Sequence, residues 1–428
     1  MDSPSSLVLG NVKLPSGRVA DVTLAEGRVT HIGASRTSAD YLDCTGLLVL
    51  PAAIDMHVHM RGGSQSAKED WKSGSMSALA GGVTVVVDQP NTLPPINTPG
   101  NLIDRVCDAL NHSFCNFAVN SSVTEKTPLE DMWEAGALAF GETFFAPSSY
   151  GEGISDAVLR QALRQISSLD GLATIHAEGI SDVPDTDLVS HNLVRSPESE
   201  LQAVNAVGKL NTAGCRLHFC HLSTGSAIDA ASATVEVTPH HLFLSLEDFE
   251  KNDSFGKVNP PLRTENERKQ LFLRWDRIDV IASDHAPHTR AEKNQEFSSA
   301  PSGIPGVETL VPLLLAMAMD GKISLKSIIE KTSHTPADLL GIPRAGFSIG
   351  NRADFALYEK IPRPVTSEML HSKCGWTPFE GHMGLFPQKV IMGGKVVYRD
   401  GEFVRSDPLW FFGKGYKKTG NKALEKRT

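Results

Sequence analysis

The chain has 428 residues, of which 40% are hydrophobic and 21% charged, so it is long enough to bury a large core. A formal net charge of -9 does not favour binding to nucleic acid, which usually needs a basic surface. No segment approaches the roughly 20 consecutive apolar residues of a membrane-spanning helix, and the N-terminus does not resemble a signal peptide. The six cysteines lack CxxC spacing and are expected to be free thiols. We therefore expect a cytoplasmic protein that binds neither nucleic acid nor a membrane.

The order of predicted elements indicates the fold. Residues 1–50 contain short strands punctuated by Gly and Asn, and residues 346–428 have the same character, so we expect the two ends to form one small β-sandwich. In residues 51–345, apolar strands alternate with helical segments. The strand sequences include VTVVVDQ, LATIHAE, CRLHFCHLS, ATVEVTPHHL and DVIASDHA, and the helical ones KEDWKSGSMSALAGG, DAVLRQALRQISSL and VETLVPLLLAMAMDGK. This alternation predicts a catalytic (β/α)8 barrel of the TIM type.

Histidines and one aspartate follow several of these strands. His57 and His59 come directly after the apolar run LLVLPAAI, and residues two apart on a strand face the same side. His176 closes one later strand, His221 follows another, and Asp284 follows the last. Any one of these histidines would ordinarily be a core residue. Together, at the strand ends where barrel enzymes build their active sites, they predict a metal site, with zinc the natural ion for imidazole ligands.

Several longer motifs support a family resemblance. The sequence HVHMR (57–61), the later histidines and SDHAPH (283–288) resemble the amidohydrolase superfamily, and within it the dihydroorotases. Five further motifs agree and extend the resemblance over nearly the whole chain: KEDW (68–71), QPNT (89–92), TPHHLFL (238–244), VNPPLR (258–263) and GIPGVET (303–309). The resemblance implies a zinc-dependent hydrolase of pyrimidine biosynthesis that interconverts dihydroorotate and N-carbamoyl-aspartate.

The resemblance also implies the metal ligands. One zinc would be bound by His57, His59 and Asp284, and a second by His176 and His221. In many relatives a carbamoylated lysine bridges the two ions, but the corresponding segment here, AGALAFGET (135–143), contains no lysine. Because a lysine becomes a ligand only by acquiring a carboxylate, which glutamate already has, we predict that Glu142 is the bridge. The departure leaves one or two zinc ions per chain open.

The remaining roles follow from the same resemblance. Asp284 is expected to be catalytic, moving a proton from the attacking water to the leaving ring nitrogen. Arg61, Asn91 and His288 would hold the substrate carboxylate, since the planar fork of an arginine suits a carboxylate. Asn259 would contact the pyrimidine edge. Three further histidines are expected to be structural: His240, His241 and His285.

Two other functions stay open at this point. Hydantoinases and allantoinases share the barrel and metals, but their substrates lack the carboxylate and they usually keep the bridging lysine. A non-catalytic homologue that scaffolds aspartate transcarbamoylase would be expected to have lost ligands, and only the absent lysine favours it. An active chain could also associate with that enzyme. A nucleotide-dependent function is not supported, because the sequence has neither a P-loop nor GxGxxG between a strand and a helix.

Overall fold

The computed structural model describes residues 6–34, 40–147 and 153–418. The described N-terminal residues form five strands: β1 (Leu7–Lys13), β2 (Val19–Ala25), β3 (Arg28–Ile32), β4 (Asp40–Asp43) and β5 (Leu48–Pro51). The first four form one sheet in the order β3-β2-β1-β4, in which β4 runs parallel to β1. The last strand, β5, joins a different sheet and leads directly into the barrel.

Eight parallel strands of the described chain form the barrel: β6 (Ala53–Val58), β7 (Val83–Asp88), β8 (Asn116–Val119), β9 (Phe140–Phe144), β10 (Leu172–His176), β11 (Arg216–Phe219), β12 (Thr234–Val237) and β13 (Val280–Ile281). Backbone pairing between Ser121 and Phe140 connects β8 to β9, and pairing between Val58 and His285 connects the last strand to the first. The predicted barrel is therefore confirmed.

Helices follow the barrel strands: α1 (Trp71–Ala80), α2 (Pro99–His112), α3 (Leu129–Ala135), α4 (Asp156–Ser168), α5 (Leu188–Val194), α6 (Pro197–Leu210), α7 (Gly225–Ala230), α8 (Pro239–Phe243), α9 (Glu265–Phe272), α10 (Arg290–Lys293), α11 (Leu310–Met319), α12 (Leu325–Ile329) and α13 (Thr335–Leu340). Short 3-10 turns cover Gly63–Gln65, Leu246–Asp248, Ser254–Gly256, Trp275–Arg277 and Ser367–Met369, and a π-helical turn covers Glu330–His334. Local signals set several helix starts; at α1, for example, the Asp70 side chain accepts a hydrogen bond from the Ser73 amide at 2.9 Å.

One predicted strand is shorter than the sequence suggested. The segment ATVEVTPHHL was expected to be extended throughout, but β12 ends at Val237 and α8 begins at Pro239. Proline is well suited to the first position of a helix, where its missing N–H is not needed. The residues TPHH therefore form a turn and a short helix rather than the end of a strand.

The C-terminal strands return to the N-terminal part of the chain. They are β14 (Phe355–Tyr358), β15 (Arg363–Pro364), β16 (Met383–Gly384), β17 (Pro387–Met392), β18 (Lys395–Arg399) and β19 (Glu402–Phe403). The main sheet has the order β19-β18-β17-β14-β5, so β5 and β14 pair although they come from opposite ends of the chain. Leu9, Leu24, Phe355 and Ile391 are buried together where this sheet meets the N-terminal one. This arrangement is the expected sandwich, whereas unit boundaries at residues 50 and 345 stay predictions.

Part of the basic C-terminal tail contacts the barrel. Residues 409–411 pair with Phe117 through its amide and carbonyl, at 3.0 and 2.8 Å. Lys414 forms an ion pair with Asp170 at 2.6 Å, and Lys417 forms one with Glu134. The solvated tail that the sequence suggested therefore begins later than Lys414, and residues 419–428 lie outside the described part.

Two expectations about composition can be compared with the structure. All six cysteines are free. Within the described ranges, each helix is too short or too polar to cross a lipid bilayer.

The sandwich core predicts a stability difference between two leucines. Leu24 is fully buried between the two sheets, whereas Leu273 is 73% exposed. We expect Leu24→Ala to lower the free energy of unfolding by about 2–5 kcal/mol, because it leaves a cavity in a packed core. Leu273→Ala should change it by less than about 0.5 kcal/mol. Denaturant titration followed by circular dichroism measures both, and equal effects would contradict this account of the core.

Candidate active site

The predicted metal ligands come together at the carboxyl ends of the barrel strands. His57 lies on β6, Glu142 on β9 and His176 at the end of β10, while His221 and Asp284 follow β11 and β13. The sixth predicted ligand, His59, comes directly after β6, and all six side chains are buried. Two of these residues have left-handed backbone conformations, with φ of 33° at His221 and 45° at Asp284, where the chain turns away from its strand. Such conformations are uncommon outside glycine and cluster at functional sites.

The first histidine pair meets the aspartate that follows the last strand. Nε2 of His59 lies 3.0 Å from Oδ1 of Asp284, and Nε2 of His57 lies 3.6 Å from the same oxygen. The two imidazole rings are 5.5 Å apart between centroids. The same-side placement expected from the HxH spacing is therefore observed.

Glu142 lies between three histidines. Its Oε1 is 2.7 Å from Nδ1 of His176 and 2.8 Å from Nε2 of His221. Its Oε2 is 3.5 Å from Nε2 of His57. The carboxylate thus contacts both predicted ligand groups, which is the position that a bridging ligand would need. The Gln89 side chain accepts a hydrogen bond from the Glu142 amide at 2.9 Å and so fixes the backbone there.

Two further glutamates orient the histidines from behind. Oε1 of Glu236, on β12, accepts from Nδ1 of His57 at 3.0 Å and from the backbone amide of His221 at 3.1 Å. Oε2 of Glu178 accepts from Nε2 of His176 at 2.7 Å. Each bond leaves the opposite ring nitrogen of that histidine directed towards the centre of the cluster. This is the arrangement by which outer carboxylates usually orient metal-binding histidines.

The donor atoms fit a metal site. Nε2 of His57 is buried, has no hydrogen-bond partner among the described residues, and lies 3.5–3.6 Å from oxygens of Glu142 and Asp284. Two ligand atoms at about 2.0–2.1 Å from one tetrahedral ion lie about 3.4 Å from each other, so these separations suit a shared ion. Three groups whose donor atoms lie within 4.8 Å of one another share His57: His57, His59 and Asp284; His57, Glu142 and His221; and His57, Cys220 and Glu236.

The electrostatics of the cluster also favour a cation. Burial alone would raise the pKa of Glu142, but His57 and hydrogen bonds from His176 and His221 lower it well below its usual range. Burial lowers the pKa of His176, whereas hydrogen bonds to Glu142 and Glu178 raise it to about 9. Burial also lowers the pKa of His57, but the charges of Glu236 and Glu142 raise it well above normal. The carboxylates thus stay ionised and create a negative potential at the histidine rings, which a bound metal ion would neutralise in place of protons on His57 and His176.

The predicted substrate-binding residues line the cavities beside this cluster. Arg61, Asn91 and Asn259 line a small cavity of about 50 Å³ together with His59, Glu142 and Asp284. His288 lines an adjoining cavity of about 830 Å³, which also contacts Asn91 and Glu142. Nη2 of Arg61 lies 3.3 Å from Nε2 of His288, so the two cavities meet at this pair. All ten residues singled out in the sequence are thus brought to one region.

The three histidines expected to be structural are held by the protein itself. His241 contacts the Thr238 hydroxyl at 2.8 Å and the Pro260 carbonyl at 3.0 Å. Nδ1 of His285 accepts a hydrogen bond from the Gly306 amide at 3.1 Å. His240 packs against the ring of His241, with centroids 4.4 Å apart, but its buried Nε2 has no hydrogen-bond partner among the described residues. The contacts of His241 and His285 are consistent with supporting positions, whereas the structural role of His240 stays a prediction.

Residues 48–397 match the amidohydrolase family. The chain is 41% identical over 412 residues to a dihydroorotase from Halobacterium salinarum, which covers 93% of this chain and 97% of that protein. It is 39% identical over 416 residues to a dihydroorotase from Methanosarcina acetivorans, covering 90% and 89%. The chain belongs to the amidohydrolase family. Eight relatives that are 32–41% identical to it are dihydroorotases, and members of the family depend on metal ions.

Solved structures agree on the fold. An L-hydantoinase (dihydropyrimidinase) from Arthrobacter aurescens superimposes with a TM-score of 0.87 at 24% identity, covering 94% of this chain and 98% of that one. A D-hydantoinase (dihydropyrimidinase) from Thermus sp. superimposes with a TM-score of 0.86 at 22% identity, covering 96% and 99%. These similarities support the barrel and the sandwich and carry no information about the substrate of this chain.

Three residues near the site were missed from the sequence. Glu236 is a charged residue inside an otherwise apolar strand, which is a signal for a buried functional or supporting group. Glu178 stands two residues after His176 and could have been found by the same spacing argument that paired His57 with His59. Lys68 lies in the KEDW motif, but nothing in the sequence indicates its contact with His288, because the two residues are 220 positions apart.

The close packing around Gly303, in the wall of the small cavity, leaves no space for an added methyl group. Gly303 has a φ of +146°, and a Cβ there would lie 2.5 Å from the Ala286 carbonyl oxygen and 2.9 Å from the His288 ring. We expect Gly303→Ala to lower turnover by this amidohydrolase roughly tenfold to hundredfold, because the ring and backbone must move. The matched control is Gly321→Ala, at a φ of +73° but with no atom of the described residues within 4 Å. Steady-state kinetics compare the two, and equal losses would contradict a steric cause.

Proposed function

We propose that this protein is a dihydroorotase that interconverts (S)-dihydroorotate and N-carbamoyl-L-aspartate in pyrimidine biosynthesis. The observation that carries the proposal is the small cavity, where the cation of Arg61 and the amide of Asn91 lie beside the histidine and carboxylate cluster. A substrate with a cyclic amide at one end and a carboxylate at the other matches this arrangement. Eight curated dihydroorotases that are 32–41% identical support the same conclusion.

The residues that would hold zinc are those predicted from the sequence. His57, His59 and Asp284 would bind one ion, and His176 with His221 a second, with the Glu142 carboxylate between them. When bound, zinc lowers the pKa of water towards about 7 and polarises the ring carbonyl, so hydrolysis can proceed at neutral pH. The contacts of Glu142 with both groups support two ions per chain.

Asp284 is the residue proposed to move the proton. Its carboxylate lines the small cavity and is held by Nε2 of His59 at 3.0 Å. A carboxylate in this position can accept a proton from the attacking water and return it to the ring nitrogen when the amide bond breaks. In the biosynthetic direction it performs the reverse transfer while the ring closes.

The substrate carboxylate is proposed to bind Arg61, Asn91 and His288, with Asn259 at the pyrimidine edge. The backbone of Arg61 is fixed from below, because Nη1 of Arg105 donates to its carbonyl at 2.6 Å and Nε of Arg105 pairs with Asp88 at 2.8 Å. Side-chain oxygens of Asn91 and Asn259 are buried without a hydrogen-bond partner among the described residues. An amide oxygen only accepts, so a ring N–H of the substrate could supply the missing partner at Asn259, whereas Asn91 would donate to the substrate carboxylate through its Nδ2 group.

The two alternative functions do not account for all of the residues around the small cavity. A hydantoinase or allantoinase substrate has no carboxylate to bind at Arg61. A non-catalytic scaffold would not need the complete set of buried ligands that the chain retains. Association with aspartate transcarbamoylase and a cytoplasmic location stay predictions from the sequence.

The first experiment combines turnover with metal analysis. We expect the purified protein to interconvert both compounds with about two zinc ions per chain, measured by atomic emission. Glu142→Gln should lower both turnover and zinc content, because an amide cannot supply the negative charge between the histidines. Glu130→Gln, at an exposed position of α3, is the matched control. Turnover with one zinc in both wild type and Glu142→Gln would contradict the bridging role, and absence of turnover in the zinc-loaded wild type would contradict the function.

The outer glutamates predict a second effect on metal binding. Glu236→Gln should weaken zinc binding roughly tenfold to hundredfold. The reason is that the variant loses the carboxylate that orients the His57 ring and holds the backbone amide of His221. Glu178→Gln should affect only the ion held by His176. Competition with a chromogenic chelator measures both affinities without an activity assay. Glu198→Gln, at an exposed position of α6, should bind zinc like the wild type, and unchanged affinity in Glu236→Gln would show that this carboxylate does not orient the ligands.

A further inference from the structure

The two nitrogens of His288 face different surroundings. Nδ1 lies 3.2 Å from Nζ of Lys68, and both residues line the larger cavity. Nε2 lies 3.1 Å from the Ser302 carbonyl oxygen and 3.3 Å from Nη2 of Arg61. Gly303, which lines the small cavity, is so close that a Cβ there would lie 3.0 Å from Nε2. The Nε2 edge of the ring therefore faces the proposed carboxylate site, and the Nδ1 edge faces Lys68.

The partners of the ring determine which nitrogen carries the proton. A lysine ammonium only donates hydrogen bonds, so Nδ1 must accept from Lys68. A carbonyl oxygen only accepts, so Nε2 must carry the proton that points towards Ser302. These two contacts require the same tautomer. In that tautomer Nη2 of Arg61, which also only donates, lies 3.3 Å from Nε2 without bonding to it, and the Nε2 proton points to the wall of the small cavity that Ser302 lines. Burial and the neighbouring charges of Arg61 and Lys68 also lower the pKa of His288 far below its usual value, so the ring stays neutral.

Lys68 itself is held in place rather than free in solvent. Its side chain is 18% exposed, and Nζ forms an ion pair with Oε1 of Glu292 at 2.9 Å. Glu292 is fixed in turn, because its other oxygen accepts hydrogen bonds from the amide and hydroxyl of Thr289 at the start of α10. The ammonium group thus has a defined position at the junction of the two cavities, close to a second cation on Arg61.

We propose that Lys68 is a positioning residue for recognition of the substrate carboxylate, which it supports by holding His288 in the tautomer that directs an N–H group towards the small cavity. The inference rests on the proposed dihydroorotase function and adds a residue to its substrate site. The effect of Lys68 should therefore appear in substrate binding rather than in the chemical step.

Lys68→Met tests this role. We expect the KM for both substrates to rise roughly tenfold to hundredfold, as for loss of hydrogen bonding to a charged group, while kcat changes less than about threefold. The fall in kcat/KM must be equal in the two directions, because the overall equilibrium constant is unchanged. The Kd for orotate, a ring carboxylate that the enzyme cannot hydrolyse, should rise by the same factor in calorimetry. Lys68→Arg keeps a cationic donor and should recover most of the affinity.

The matched control is Lys72→Met, at an exposed position four residues further along in α1. It should leave KM, kcat and orotate binding unchanged. An unchanged KM in Lys68→Met, a fall in kcat alone, or failure of Lys68→Arg to recover orotate binding would each overturn the proposal. If Lys68→Met does not fold or does not retain zinc, the same measurements of KM, kcat and orotate binding are made on Lys68→Gln, and the same outcomes overturn the proposal. A zinc-loaded wild type without turnover would contradict the dihydroorotase function itself, whereas normal turnover with an unaffected Lys68→Met contradicts only this inference.

Discussion

The burial of Glu142 constrains the rest of the site. A carboxylate inside a barrel is stable only when opposite charges and hydrogen bonds compensate for lost hydration, and Glu142 obtains these from His57, His176 and His221. Each of the first two imidazoles then needs an acceptor on its other side, which Glu236 and Glu178 supply. The inner carboxylate therefore requires a second layer of buried acids, and the two layers fix the directions of the ring nitrogens.

Closure of the barrel sets the distance between the first and last ligands. Oδ1 of Asp55 accepts hydrogen bonds from the amides of His57 and Ser283, at 3.3 and 3.0 Å, and so ties the first strand to the end of the last. Asp284 follows directly and comes within reach of His59. Burial raises the pKa of Asp55 to about 6, although its bonds to Ser283 and His57 oppose that rise. Asp284, the proposed acidic ligand, is thus positioned by the same contacts that close the barrel.

Much of the fold and the inner ligands could be predicted from the sequence, because they depend on local periodicity. Strands such as LATIH are short and apolar, and the predicted polar residues lie near the strand ends or just beyond them. The strand predicted over 233–242 was too long, because the helix start at Pro239 is a local signal that the apolar residues around it conceal. Lys68 depends on a contact 220 residues away in the chain, and no spacing rule gives such a contact from one sequence.

The proposed bridge at Glu142, in place of a carbamoylated lysine, would change how the site assembles. A lysine must first react with carbon dioxide before it presents a carboxylate, whereas glutamate presents one as soon as the chain folds. Its side chain is also shorter than a carbamoylated lysine, so the carboxylate stays closer to β9. The close contacts from His176 and His221, together with the fixed backbone at Gln89, are consistent with this shorter reach. Assembly of this centre should therefore depend on metal supply and on the outer glutamates rather than on bicarbonate.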